Sequence, residues 1–264
     1  MKTTIDTHFL VSISMFYEKK RLFLAKNYRM RENTCFRFKQ FTVYHDKCAM
    51  KVGTDGVILG AWAHVKEKNR ILDIGTGSGL IALMMAQRSS AAIEAVELDA
   101  LAAQQAQENV LRSPWSKQIK VLQQNILTFS SPATYDLIVS NPPYFENDLT
   151  GPNEQRNRAR HTGQLSYANL LAKAATLLHP TGQFELILPT DCYEVIKKMA
   201  LQVGLFPQIE TKIITKIGLS PKRVLVALGH TEQPICSNEL LIERSRHVYS
   251  QDYINLTKTF YLKM

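Results

Sequence analysis

The chain has 264 residues, 45% of them hydrophobic and 21% charged, which suits one large α/β domain, alone or with a small appendage. No run of 18 or more apolar residues occurs, which excludes a membrane-spanning helix. The formal net charge of +9 points to a polyanionic partner, most simply nucleic acid, against the plainer alternative of an enzyme that is merely basic.

From the N-terminus, residues 1–29 carry no clear period and end in a basic stretch of Lys19, Lys20, Arg21, Lys26 and Arg29. The apolar run 8–16 is short and no small-residue cleavage site follows it, so no secretory signal is expected. Residues 1–50 hold ten Lys/Arg against four Asp/Glu, so much of the basic excess precedes the rest. Two expectations stand for this extension, set at residues 1–35: a basic arm without fixed structure that touches RNA, or the product of a mis-assigned start with translation beginning at Met30. Cys35, Cys48, Cys192 and Cys236 show no CxxC spacing and no His cluster accompanies them. Neither a metal site nor disulfides are expected, and reduced thiols in the cytoplasm are the default.

Residues 36–44 alternate apolar and polar, as a half-buried strand or hairpin does. A turn over 51–56 leads into an apolar helix near 57–64. Strands then alternate with helices: strand 70–74, a glycine loop 75–79, helix 80–88, strand 93–98, helix 100–111, and strands 120–123 and 137–140. A polar, Asn/Arg-rich loop over 145–164 precedes helix 167–178, a break at 179–182, strand 183–188 and helix 192–203. Segments 212–215 and 223–229 read as a closing antiparallel pair. This alternation predicts a mostly parallel sheet covered on both faces.

The first chemical motif is Asp73-Ile74-Gly75-Thr76-Gly77-Ser78-Gly79, a strand running into a glycine turn and a helix. Glycine lets the backbone approach a ligand without a Cβ in the way. The spacing is GxGxG rather than the GxGxxG of dinucleotide enzymes, and a carboxylate opens it. Asp73 would repel the phosphates of NAD but favours a ligand with a cationic amino-acid end, which fits S-adenosylmethionine. Glu97 ends the second strand, where a carboxylate accepts hydrogen bonds from ribose hydroxyls. Asp99, just before helix 100–111, is the better helix cap. Asn125 follows the third strand and reads either as an adenine contact or as a turn residue. Thr76, Leu98 and Ile126 flank these positions and complete the expected cofactor set.

The second motif, Asn141-Pro142-Pro143-Tyr144, directly follows the fourth strand, on the same edge as the glycine loop and bordering the cofactor. An exocyclic amine on an aromatic ring is a poor nucleophile because its lone pair is delocalised. Two acceptors that hold both N–H groups direct that lone pair toward an incoming methyl. The Asn141 side-chain oxygen and the Pro142 carbonyl are those acceptors, and the prolines stiffen the turn without adding a competing N–H. Tyr144 offers a face on which a flipped base can stack.

With both motifs in place, the chain resembles the class I methyltransferases with an Asn-Pro-Pro-Tyr motif. More narrowly, it is similar to the bacterial tRNA(Val) adenine-N6 methyltransferases that modify the adenine beside the anticodon, position 37. The likeness runs from about Phe36 to the C-terminus. It includes Phe38–Phe41, His45–Gly56, Leu59–Trp62, Ala95–Glu97, Ser113–Trp115, Pro221–Leu225 and Phe260–Met264, with the segment 45–56 the most family-specific. Residues 1–29 lie outside it, and Asn125 stands where many relatives have Asp. The resemblance implies a Rossmann-like fold with a seven-stranded, mostly parallel sheet and an antiparallel C-terminal pair, a methyltransferase domain over 36–264, S-adenosylmethionine as donor and tRNA as acceptor. It also implies that Lys51 to Asp55, with Lys51 and Thr54 among them, close the cofactor pocket.

Arg156, Arg158 and Arg160 follow the Asn-Pro-Pro-Tyr turn, and Lys222 and Arg223 form a second basic pair. Both are candidate RNA contacts, with a solvated surface as the bland alternative. The rival functions are a protein glutamine-N5 methyltransferase, whose acceptor is also a planar amide, and an rRNA or DNA amino-methyltransferase. The first is disfavoured because no helical substrate domain precedes the core. A non-enzymatic RNA-binding module would need a broken glycine loop or a lost Asn141, and neither is seen. No metal is expected, and a monomer is the working expectation. Intact mass of the protein from its native host separates the two expectations for the extension, since a mass that includes residues 1–29 rules out a start at Met30.

Overall fold

The computed structural model describes residues 34–143 and 165–263. Cys35–Arg37 (β1) and Thr42–Tyr44 (β2) form an antiparallel hairpin, with Phe36 opposite Val43. Helix α1 spans Thr54–Trp62 and so begins within the segment that reads as a turn. Extended Gly53 caps it and Asp55 lies in its first turn, where a carboxylate favours the helix N-terminus.

The alternating core follows: β3 (Arg70–Ile74), α2 (Leu80–Ala86), β4 (Ala92–Glu97), α3 (Ala100–Leu111), β5 (Ile119–Gln123) and β6 (Tyr135–Ser140). Then come α4 (Tyr167–Leu177), β7 (Leu178–Pro189), α5 (Thr190–Gln202), β8 (Phe206–Lys216) and β9 (Arg223–Gly229). The chain closes with β10 (Cys236–Ser245), β11 (Val248–Tyr249) and α6 (Gln251–Thr257).

The sheet order is β11-β10-β8-β9-β7-β6-β3-β4-β5. Strands β5, β4, β3, β6 and β7 are parallel, and β9 runs antiparallel to both β7 and β8. The expected seven strands form this block, and β10 and β11 extend it to nine. Strand β10 pairs parallel to the edge of β8. Its sequence carries little apolar alternation because most of it is exposed, so backbone pairing rather than patterning makes it a strand.

Period-two alternation sends neighbouring residues to opposite faces. Ile71, Leu137 and Val139 join the core under α1 and α2, whereas Leu72, Ile74 and Ile138 join the core under α4 and α5. Glu185 faces the first of these cores fully buried, where Oε1 is 2.7 Å from His64 Nδ1, so a charge-assisted contact ties the end of α1 to β7. The hairpin is clasped to the C-terminus, with Lys39 N donating to Phe260 O at 2.8 Å and Phe38 bridging to Tyr261.

Strand β7 begins at Leu178, earlier than its sequence suggests. Residues 179–182, read as a break, form an irregularity in the pairing, between Tyr135 opposite Leu178 and Leu137 opposite Gln183. Gly182 is packed there so closely that a Cβ would lie 2.9 Å from both Tyr135 O and Leu178 Cδ1. Backbone cannot yield as a side-chain end does, so Gly182→Ala is expected to destabilise the fold by about 1–3 kcal/mol, read as a lowered urea midpoint. An unchanged midpoint would show that the irregularity relaxes freely.

Candidate active site

Strands β5, β4, β3 and β6 end at one level. Gln123 pairs with Glu97, Val96 with Ile74, and Ile74 with Ser140. The chain leaving these ends carries Asn125, Glu97 and Leu98, the glycine loop, and Asn141 with Pro142 to a single edge, where open parallel sheets bind ligands. The Ser140 hydroxyl donates to Ile74 O at 2.9 Å, fixing the root of the Asn-Pro-Pro turn against the root of the glycine loop.

Gly75 and Gly77 have φ of 71° and 55°, in the left-handed region that disfavours residues with a Cβ. A Cβ on either would meet nothing within 4 Å, so the loop is open on its outer side. Gly79 serves packing as well, since a Cβ there would touch Ala106 Cβ at 3.4 Å. The amides of Gly75 and Thr76 both donate to Val96 O, at 2.9 and 3.1 Å, which curls the loop over the end of β4.

Two carboxylates face this loop. Asp73 is fully buried, and the Thr76 hydroxyl donates to its Oδ2 at 2.5 Å. Its Oδ1 has no partner of good hydrogen-bond geometry among the described residues. Burial pushes the Asp73 pKa up to about 7 against the Thr76 hydroxyl and the Ala82 amide, and the Glu97 charge adds a smaller push. Glu97 accepts from Gly77 N at 2.8 Å and from Asp99 N at 3.0 Å. A carboxylate has about four acceptor positions, so this partly exposed group retains capacity for a diol. Asp99 caps α3 as expected, accepting from Ala102 N at 2.8 Å.

Asn125 Oδ1 accepts from Leu127 N at 2.9 Å, so the turn reading describes its oxygen, and its Nδ2 donates to no protein group among the described residues. Leu98 is 62% exposed on this edge, an apolar surface against which an adenine can lie, and Ile126 is buried in the core. The orphaned Asp73 oxygen, the spare capacity of Glu97 and the open glycine loop together suit a ligand with a cationic end and a ribose.

Asn141 is half-buried, Pro142 buried and Pro143 exposed. Helix α1 comes close to Asn141: a Cβ on Gly56 would lie 3.9 Å from Asn141 Nδ2. The segment before α1 is tied to α3 by Lys47, whose Nζ donates to Glu108 Oε1 at 2.5 Å. Buried Asn109 donates to Tyr44 O at 2.7 Å and Ser78 O at 2.8 Å and accepts from Tyr44 N at 3.0 Å, joining hairpin, glycine loop and helix through one side chain. The Cys48 thiol is pushed up to about 11 by burial and then by the charges of Glu97, Asp99 and Asp46, so this segment runs beside Glu97.

Lys51 and Thr54 are exposed, and Asp55 accepts from Arg223 Nε at 2.8 Å. Arg223 also donates to Lys222 O at 3.0 Å, so its guanidinium is engaged within the protein, whereas Lys222 is exposed. Tyr144, Arg156, Arg158 and Arg160 lie outside the described residues. Sequence reasoning gave no role to Ser140 or Gly56, which lie within its motifs, and did not single out Asn109. Asn109 carried no signal, since a buried helical Asn reads like any solvated one. Among the described residues no group of three His, Cys, Asp or Glu could hold a metal ion, and no helix is long and apolar enough to cross a membrane.

Comparison with known proteins fits this geometry. The profile of the methyltransferase small domain matches residues 57–203. A protein of Phocaeicola vulgatus named tRNA1(Val) (adenine(37)-N6)-methyltransferase is 55% identical over 232 residues, 88% of this chain and 99% of its own length. Relatives of the same name from Bacteroides fragilis and Aeromonas hydrophila are 53% and 48% identical, over 87% and 89% of this chain and 98% and 100% of theirs. The chain belongs to this methyltransferase family. Solved structures extend the likeness of fold: a predicted O-methyltransferase from Agrobacterium tumefaciens superposes with a TM-score of 0.60 at 19% identity, covering 77% of this chain and 95% of its own. A methyltransferase from Pyrococcus furiosus gives 0.54 at 21% identity, over 82% and 99%.

For a member of this family the raised Asp73 pKa has a defined consequence. A carboxyl whose folded pKa lies above its unfolded value of about 3.9 contributes stability at low pH that is lost as pH rises through about 7. Ligand-free protein is therefore expected to lose more urea stability between pH 5 and pH 8.5 than its Asp73→Asn variant does. Equal losses would show that Asp73 is already ionised at pH 5.

Proposed function

We propose that this chain transfers a methyl group from S-adenosylmethionine to the exocyclic N6 of an adenine in tRNA, namely adenine 37 of tRNA(Val), in the cytoplasm. The observation that carries the reading is Asn141, held at the end of β6 beside the glycine loop at the end of β3. The relatives that share about half of its residues over nearly their whole length carry that activity in their names.

When bound, S-adenosylmethionine supplies an electrophilic methyl on a sulfonium. Asp73, with Thr76 fixing one of its oxygens, faces the cationic amino-acid end, and a cation there draws its pKa down and keeps it ionised. Glu97 takes the ribose hydroxyls, and Leu98, Asn125 and Ile126 border the adenine. With its oxygen engaged by Leu127 N, Asn125 offers a donor, suited to a ring nitrogen. Lys51 and Thr54 flank the same pocket.

On the acceptor side, Asn141 Oδ1 accepts one N6–H and the Pro142 carbonyl the other. Both hydrogens held in this way turn the nitrogen lone pair out of conjugation and toward the methyl. This is positioning and polarisation rather than prior deprotonation: the lone pair would form the N–C bond as the methyl–sulfonium bond breaks to leave a neutral thioether, and the nitrogen would then lose its proton to water. Tyr144 stacks on the flipped base, and Arg156, Arg158 and Arg160 with Lys222 hold the RNA backbone.

The test is methyl transfer from labelled S-adenosylmethionine into tRNA lacking the modification, with nucleoside mass spectrometry. N6-methyladenosine is expected, and Asn141→Ala should lower kcat by roughly 100-fold or more while donor affinity changes little. Methyl appearing in rRNA or in a protein glutamine, with tRNA unlabelled, overturns the acceptor assignment.

A further inference from the structure

At the first turn of α1 lies a cavity of about 700 Å³ whose lining includes none of the glycine-loop residues, Glu97 or Asn141. The first turn of α1 and the hairpin form one side, and the C-terminal elements form the other, through Tyr249, Tyr253, Tyr261 and Lys263. Its size is that of a small-molecule pocket, ample for one nucleotide.

The charges in its walls do not balance. Its two carboxylates are both paired, Asp55 with Arg223 at 2.8 Å and Glu243 with Lys216 at 3.7 Å. Lys222 and Lys263 are exposed in the same walls and form no ion pair among the described residues. Aromatic surface lines the same cavity. Tyr249 is 37% exposed, and its ring is braced at 5.3 Å by buried Tyr253. Exposed aromatic faces beside unpaired cations are how proteins hold single-stranded nucleic acid without reading its sequence.

Position ties the cavity to the reaction. Thr54 and Asp55 line it, and a Cβ on the next residue, Gly56, would lie 3.9 Å from Asn141 Nδ2. Lys222 enters β9, two strands from β6 in the sheet, roughly 10 Å at ordinary strand spacing. The far wall comes from β10, β11 and α6 with the chain after it, which lie beyond the seven-strand block that carries the cofactor edge.

We propose that this cavity receives a nucleotide of the RNA adjacent to the target adenine, with its base on Tyr249 and its phosphate at Lys222 and Lys263. An adenine turned out of its stack leaves its neighbours unstacked, and a nearby site that holds one of them lowers the cost of extrusion. The inference rests on RNA being the acceptor, as proposed above.

The test uses the full chain and an anticodon stem-loop RNA, and reads equilibrium binding separately from methyl transfer. Tyr249→Ala and Lys222→Glu are each expected to weaken RNA binding about ten-fold and to raise KM for RNA, and Tyr249→Ala should leave kcat at saturation and donor Kd unchanged. Lys222→Glu should also flatten the salt dependence, its log–log slope falling by about one or more. 4-Thiouridine placed beside the target adenine should crosslink to the peptide holding Tyr249. Unchanged binding in both variants, or crosslinking only elsewhere, overturns the proposal. If RNA binding responds to both variants but no RNA is methylated, the cavity assignment stands and the reading of the reaction fails.

Discussion

Parallel strands deliver whatever follows them to the same edge of a sheet, and here four neighbours do so at matched height. The pairing of Ile74 with both Val96 and Ser140 brings the glycine loop, Glu97 and Asn141 into one neighbourhood although they are spread over 67 positions of sequence from 75 to 141. The Ser140 hydroxyl on Ile74 O removes the remaining slack between the two motifs. A methyl transfer is sensitive to alignment of donor and acceptor, and a register fixed by backbone hydrogen bonds is stiffer than one set by loops.

The same edge gathers charge that the unliganded protein does not favour. Asp73 is buried with one oxygen orphaned and Glu97 stands nearby, so the protein keeps a proton on Asp73 more readily than an exposed carboxyl would. A cationic ligand relieves that cost and an anionic one adds to it. This sign selectivity distinguishes the site from dinucleotide sites built on the same strand–loop–helix frame.

Helix α1 connects the two halves of the molecule's chemistry. Its first turn runs close to Asn141 and also lines the cavity, and Arg223 holds it to β9 through Asp55. The segment before it is held by Asn109 and Lys47 against α3, and the hairpin is clasped to the C-terminus by Lys39 and Phe38. The segment 45–56 is thus the part that joins α3, β9 and the wall of the cavity.

Local signals sufficed for the alternating core, the glycine loop, Asp99 as a cap, and Asn-Pro-Pro, because period-two and helical patterning and turn chemistry act over a few residues. They also carry the proposed chemistry, in which GxGxG with an acid before it and an asparagine followed by prolines would restrict both ligands. Tertiary structure alone decided what depends on partners far along the chain. It assigned β10 to the edge of β8 despite its polar sequence, drew residues 179–182 into β7, and turned Arg223 from a free surface cation into the partner of Asp55, 168 positions away. It likewise made Asn109 a three-way tie and raised the Asp73 pKa, because burial and hydrogen-bond partnership are properties of the packed fold rather than of neighbours in sequence.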